Sequence, residues 1–160
     1  MSMKGAAAWN LRVYGVLVEN SWILLSRETY PGFEGYMTKL PGGGILPGEG
    51  PVDALRREFK EEVGLEICSA DVFHVPGGFH KSHFDDSQVV SLYYKVTRSL
   101  DQIPRQMNSE VVRGVQVYQE FFWCPIKELD PSKMTWKTDQ ETIEILIKKF
   151  NEDPKNLILG

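Results

Sequence analysis

The apolar positions of the chain recur with two different periods, and the change from one to the other marks out its elements. Residues 11–18 and 22–25 are runs of β-branched, aliphatic and aromatic side chains. Glu19, Asn20 and Ser21 between them carry turn chemistry, so an opening β-hairpin is predicted. From residue 51 the spacing lengthens. Val52, Leu55, Phe59 and Val63 form the stripe of an amphipathic helix over residues 51–63. Pro51 suits its first position, Asp53 the positive end of the helix dipole, and Gly64 with Leu65 a left-handed cap. Strands are predicted again over residues 89–97 and 115–124. A second helix follows from the i, i+3, i+4, i+7 spacing of Ile143, Leu146, Ile147 and Phe150, with Thr138 and Glu141 spaced as a capping box. Residues 28–37, with Pro31, Gly32 and Gly35, read as a loop, and residues 39–50, with five glycines and two prolines, as a second. Residues 99–108 are polar and loop out.

Strands and two helices around a sheet predict an α/β layered sandwich. No repeat, low-complexity tract or linker interrupts the chain, so residues 1–160 are expected to form a single domain. A hydrophobic content of 42% over 160 residues is enough for one core. The net charge of -4 excludes the basic stripe of a duplex-binding protein and leaves a nucleotide-sized ligand open. Cys68 and Cys124, each among apolar or aromatic neighbours, are too few for a disulfide framework and predict a reducing, cytoplasmic setting. No stretch approaches a membrane span, and the first eleven residues are too short and polar for a signal segment.

The chemistry concentrates on the first helix. Glu58, Glu61 and Glu62 project roughly a third of a turn from the apolar stripe. Like charges at these spacings destabilise a helix by about 0.2–0.5 kcal/mol per pair, so a counter-charge is expected. Arg57 points away by its helical angle and can brace Glu58 or Glu49 from the side without neutralising all three acids. A hard divalent cation such as Mg²⁺ or Mn²⁺ is the better partner, with Ala54 leaving room one turn before Glu58. The glycines of Leu40-Pro41-Gly42-Gly43-Gly44 let the backbone approach. A solvated acidic face is the alternative on spacing alone.

The register separates these two readings. Gly43-x5-Glu49-x7-Arg57-Glu58-Phe59-x-Glu61-Glu62-x-Gly64-Leu65 resembles the Nudix box at every fixed position, with Phe59 where that family usually has an aliphatic residue. The resemblance implies the Nudix α/β/α sandwich with a mixed β-sheet. It also implies a metal-dependent hydrolase, using Mg²⁺ or Mn²⁺, that cleaves a small nucleotide-like diphosphate: a nucleoside triphosphate, nucleotide sugar, ADP-ribose or dinucleoside polyphosphate. By position, Glu58, Glu61 and Glu62 look like metal ligands with Glu58 doubling as base, the Gly43 carbonyl completes the coordination, and Glu49 and Arg57 orient the set. A homodimer is a further implication. The competing function is a catalytically silent, nucleotide-sensing domain. Isoprenoid diphosphate isomerisation is disfavoured because Cys68 and Cys124 fall in strand-like apolar settings.

Outside the box, Glu120 is the first choice for an additional metal-binding acid, because Tyr118, Phe122 and Cys124 at alternate positions are mainly apolar. A solvent-facing role is the alternative. Glu110, Asp85 and Asp86 are weaker candidates. Arg27 and Lys39 are placed to meet a phosphate. Tyr36, with Tyr30 and Phe33, either stacks on a base or packs its loop. His80 and His83 read as a surface loop rather than a zinc site, and His74 as packing beside a strand.

Overall fold

The computed structural model describes residues 8–155. Its strands are β1 (Trp9–Glu19), β2 (Trp22–Tyr30), β3 (Phe33–Lys39), β4 (Gly42–Gly44), β5 (Ile67–His74), β6 (His80–Lys81), β7 (Gln88–Arg98), β8 (Met107–Val112) and β9 (Val115–Pro125). The α-helices are α1 (Pro51–Glu58) and α2 (Lys137–Glu152). The sheet runs β5-β7-β1-β2-β9-β8, with β3 added to β2, β4 to β1 and β6 to β7. It is mixed, since β1 lies parallel to β7 while β2 is antiparallel to β1, β3 and β9. β1 and β2 pair only at Val18 with Ile23 and Glu19 with Trp22, and then diverge. Beyond that point β3 takes over the free edge of β2 and β4 that of β1. The glycine-rich stretch is therefore threaded into the fork of the sheet, where Gly15 N–H donates to the Pro41 carbonyl at 2.8 Å.

Alternation along β1 builds two cores. Val13 and Leu17 face α1 with Leu24, against Leu55 and Phe59. Tyr14 and Val16 face α2 with Ile23, against Ile143, Leu146 and Phe150. Each such side chain stabilises its layer by about 1.5–3 kcal/mol when fully buried. One helix on each face gives the expected α/β/α arrangement. Phe59, the departure from the aliphatic pattern, has a local cause: a Cβ at position 15 would lie 2.5 Å from its ring Cζ. The larger side chain of the helix fits because the strand beneath it carries none.

Four readings of the sequence are corrected. Residues 28–37 are not a loop but the β2–β3 hairpin, with Pro31 and Gly32 at its turn and Gly32 at φ +88°. Pro31 and Gly32 do turn the chain, and one further breaker, Gly35, hides the strand that follows. The predicted helix over residues 51–63 is α-helical only to Glu58 and continues as a π-helical turn, Phe59–Val63. The second helix begins two residues earlier than its capping-box spacing implies, with Trp136 rather than Thr138 at its N-cap. Thr138 and Asp139 are buried inside it, and Glu141 meets His74 Nε2 at 2.6 Å. Cys68 is exposed on β5 rather than set in an apolar environment, whereas Cys124 is half-buried. Among the described residues no helix is long and apolar enough to cross a membrane.

Candidate active site

The site is built where α1 ends. Gly50 N–H donates to Asp53 Oδ2 at 3.0 Å at the start of the helix, and Pro51 needs no partner for a missing N–H. Past Glu58 the hydrogen bonding widens to the π pattern. Leu65 N–H reaches back to the Phe59 carbonyl at 3.2 Å, and Gly64 closes the turn at φ +75°, where any Cβ would be strained. The carbonyls left over at this end are taken by the segment entering β8. Arg105 Nη1 donates to the Glu61 carbonyl at 2.7 Å, Asn108 Nδ2 to the Glu62 carbonyl at 2.7 Å, and Arg105 N–H to the Val63 carbonyl at 2.7 Å.

Arg57 organises the acids on one side. It grips Glu49 with two bonds, Nε to Oε2 at 2.6 Å and Nη2 to Oε1 at 3.0 Å. Its Nη1 donates to Glu58 Oε1 at 3.0 Å and to Glu61 Oε2 at 3.3 Å, and its Nη2 to the Gly44 carbonyl at 2.9 Å. The Arg57 hydrogen bonds, with one from Leu46 N–H, hold the Glu49 carboxyl below the usual carboxylate range. Glu62 is the acid beyond its reach, in keeping with the helical angle. Space for Glu58 comes from Gly43, where a Cβ would stand 2.6 Å from the Glu58 Cδ. Ala54, expected to leave that room, is instead buried in the core beside Leu55.

Glu62 faces the other way. Its Oε2 accepts from Gln119 Nε2 at 3.3 Å, and the same amide donates to Glu28 Oε2 at 3.2 Å. Glu28 in turn pairs with the buried Lys39 at 2.8 Å. Burial first, and then the Glu58 charge, push the Glu62 carboxyl up to about 7. Glu28, Glu58, Glu61 and Glu62 line one cavity of about 470 Å³ with the three glycines of β4. Among the described residues no three acidic, histidine or cysteine side chains already stand as a metal-ligating set. The donors are nonetheless all oxygen, they crowd one cavity, and Arg57 cannot reach Glu62. That chemistry fits a hard divalent cation.

The remaining candidates fall elsewhere. Glu120 stands opposite Arg27 in the β2–β9 pairing and does not line the cavity; on a strand the neighbouring residue takes the other face, and Gln119 is the one that meets the acids. Arg27 lies over the Phe122 ring, 4.8 Å from its centroid, outside the acidic cavity. Tyr36, 59% exposed on β3, is also outside it. Lys39 lines it, as an ion-paired buried lysine. Glu110 is on the rim of the acidic cavity, Asp85 accepts from Ser87 N–H at 2.8 Å, and Asp86 pairs with Lys81 at 3.0 Å. Sequence reasoning missed Glu28, Gln119 and Asn108. Glu28 was hidden by the loop reading of residues 28–37, although it continues the β2 alternation. Gln119 and Asn108 carried no charge to attract notice.

The sequence matches the model of the NUDIX domain over residues 9–145. A comparison with curated proteins gives no match. Among solved structures, the MutT NUDIX hydrolase of Burkholderia pseudomallei superposes with a TM-score of 0.66 at 20% identity, covering 86% of this chain and 97% of that one. The E. coli ORF135 protein gives 0.65 at 18% identity, with 96% and 99% covered. A MutT structure from work on Aliivibrio salmonicida and Vibrio cholerae gives 0.63 at 22% identity, with 88% and 98% covered. At these identities the likeness speaks for the fold.

Proposed function

Given that this chain belongs to the Nudix family, we propose that it is a divalent-metal-dependent hydrolase that cleaves a phosphoanhydride linkage in a small nucleotide-like diphosphate. One observation carries the reading: Glu28, Glu58, Glu61 and Glu62 line one cavity, where Arg12 and Lys39 are the basic residues and Lys39 is already paired with Glu28, while Arg57 is engaged by Glu49, Glu58 and Glu61. A diphosphate brought there would be repelled without a cation.

Glu58, Glu61, Glu62 and the Gly43 carbonyl would hold Mg²⁺ or Mn²⁺, with Glu28 rather than Glu120 as the additional acid. When bound, such an ion polarises phosphoryl oxygens and lowers the pKa of its water. The protein's own part is orientation and proton transfer. Arg57 fixes Glu58 through Oε1, which leaves Oε2 to accept a proton from the attacking water. The water oxygen bonds to phosphorus while the bridging P–O bond breaks, and the leaving phosphate keeps that electron pair. Glu49, held by Arg57 and Leu46 N–H, keeps the guanidinium in place.

A panel of nucleoside triphosphates, nucleotide sugars, ADP-ribose and dinucleoside polyphosphates, incubated with and without Mg²⁺, tests this. Release of phosphate, pyrophosphate or nucleoside monophosphate is expected only with the metal. Tight nucleotide binding with no turnover of any member would replace the enzyme by a sensor.

A further inference from the structure

β9 outruns the strand it is paired to. Its residues Gln119–Pro125 lie against β2, but residues 115–118 lie beyond Glu28 with β8 alone beside them. β8 ends the sheet on that side. The pairs Ser109 with Tyr118, Glu110 with Val117, Val111 with Gln116 and Val112 with Val115 therefore form a two-stranded arm that leaves the sheet. Within it Val117 is buried and Val112 half-buried, and every other residue from Ser109 to Tyr118 is exposed. Two strands without a third are marginally stable by themselves. Outside the strand ladders, one hydrogen bond among the described residues ties the arm to β2, from Tyr118 N–H to Thr29 Oγ1 at 2.9 Å.

The root of the arm is fixed to the acids. Asn108 Nδ2 donates to the Glu62 carbonyl, and Gln119 Nε2 to Glu62 and Glu28. Further out, Ser109, Glu110, Val117 and Tyr118 line the acidic cavity. The tip lies beyond it. A second cavity, of about 510 Å³, adjoins the acidic one and shares Arg12, Glu28, Tyr30 and Lys39 with it. Of the described residues of this hairpin, Arg113 alone is on its wall.

Arg113 is an unusual residue for that place. With Gly114 it makes the turn, at φ +50° and +76°. Positive φ at both central positions is the type I′ pattern, which favours Asn, Asp or Gly at the first. The β1–β2 turn conforms, with Asn20 at φ +51°. An arginine adopts the left-handed region against its preference. Nothing in the fold compensates, since among the described residues its guanidinium has no hydrogen bond or ion pair. An unpaired cation thus stands at the free end of a loosely held arm, beside a site dominated by carboxylates. Its partner is an anion that arrives from outside.

Resting on the diphosphate-hydrolase reading, we propose that the β8–β9 arm closes on the substrate about its root at Asn108 and Gln119, and that Arg113 is the substrate-contacting residue it delivers. Arg113 lines the larger cavity and not the acidic one. Closure takes it to their junction, where its planar fork meets phosphoryl oxygens. The group recognised by the tip is the diphosphate itself, whatever it is attached to.

Calorimetry in Mg²⁺ with methylenediphosphonate, a non-hydrolysable diphosphate, and amide hydrogen exchange over residues 109–118 test this on the wild type, Arg113→Asn and Arg113→Lys. The probe is expected to slow exchange in the wild-type arm. Arg113→Asn suits the turn better and should melt at or above the wild-type temperature, yet bind the probe about ten-fold more weakly and show no slowing. Arg113→Lys keeps the charge without the fork, and its affinity should fall between the two. A residue that only shaped the turn would move the melting temperature and leave affinity alone. Equal affinity in the wild type and Arg113→Asn overturns the proposal, as does wild-type arm exchange that the probe leaves unaltered. Failure of the wild type to bind the probe overturns it as well. A protein that closes on the probe through Arg113 but hydrolyses no diphosphate keeps the arm and loses the enzymatic reading. Metal-dependent hydrolysis at the same kcat/KM in the wild type and Arg113→Asn does the reverse.

Discussion

The two helices press equivalent apolar faces onto opposite sides of one sheet, yet they handle their acids in opposite ways. The segment of α1 and its π-helical turn carries Glu58, Glu61 and Glu62 to the wall of an open cavity, where Glu62 is pushed up to about 7 by burial and by Glu58. In α2, Asp139 is sealed in the protein, and burial pushes it up to about 6. Asp139 has an internal answer: Tyr93 Oη donates to its Oδ1 at 2.5 Å, although Oδ2 has no partner among the described residues. Among the described residues Glu62 has only a shared amide. A lone buried carboxyl beside a hydroxyl is a structural device whose cost is settled inside the fold. Several carboxyls held together at a cavity wall make a charge that something from outside must balance.

The largest effect expected from this contrast is at Glu62. Glu62→Gln keeps the shape and removes the charge, and turnover should fall by about 10²–10⁴-fold, the range for groups acting in the chemical step. Thermal unfolding should show a protein at least as stable as the wild type, since Glu58 loses a like-charged neighbour. Phosphate-release assays on the best substrate measure the first quantity. Undiminished turnover would put the reaction somewhere other than this cavity.

Asp139→Asn should do the opposite, altering stability and sparing activity. The folded-state value of about 6 lies above the ordinary 3.8. The folded protein therefore holds this proton more tightly than the unfolded chain does. Stabilisation from it is complete below about pH 4 and is lost as pH rises through about 6, an effect of about 3 kcal/mol. The charged and titratable groups around it are Tyr93 on β7, Lys39 on β3 and Arg12 on β1. Denaturant unfolding between pH 4 and pH 8 should show wild-type stability declining relative to Asp139→Asn and levelling above pH 7. Parallel curves would show that the two helices do not differ in this way.

Arg57→Met tests how much of the acidic geometry one side chain maintains. Loss of a group that orients ligating residues costs about 10–100-fold in metal affinity or activity. Arg57→Lys should recover little, because an ammonium cannot reproduce two bonds to Glu49 together with those to Glu58, Glu61 and Gly44. Steady-state kinetics of both variants beside Mn²⁺ titrations decide it.

The contrast also shows where the sequence was legible. Residues bound to a local period, such as Val52, Leu55, Phe59 and Val63, announced their helix, and the register from Gly43 to Leu65 announced its acids. Residues brought in through the sheet did not. Glu28 reaches the acids because β1 and β2 diverge and β3 fills the gap, a topological event with no local signal. Glu120 drew attention as a charge on an apolar strand, but its face depends on a one-residue register that only pairing with β2 fixes. Asp139, in the first turn of α2, carries no local sign that it is buried, because Tyr93, whose hydroxyl meets it, is parallel-paired into place from 46 positions away. The bases of the two cores could be read, and the cross-sheet partners of the site could not.

The smallest effect expected is also the one that most sharpens the difference between the helices. The C-terminal end of α2 closes with Asp153 N–H on the Lys149 carbonyl. The π-helical end after α1 instead depends on Arg105 and Asn108 for the carbonyls of Glu61 and Glu62. If that clamp sets where Glu62 points, Asn108→Ala should weaken Mn²⁺ binding by about ten-fold, the low end for a group acting behind the ligands. The melting temperature should move little, because Asn108 is only half-buried and Arg105 retains its own bonds to Glu61 and Val63. Asn108→Asp keeps the acceptor for Arg105 but loses the donor to the Glu62 carbonyl, so it should not restore binding. A melting temperature that drops while Mn²⁺ affinity holds would make the clamp a matter of folding alone, and the two helix ends would then differ in geometry but not in purpose.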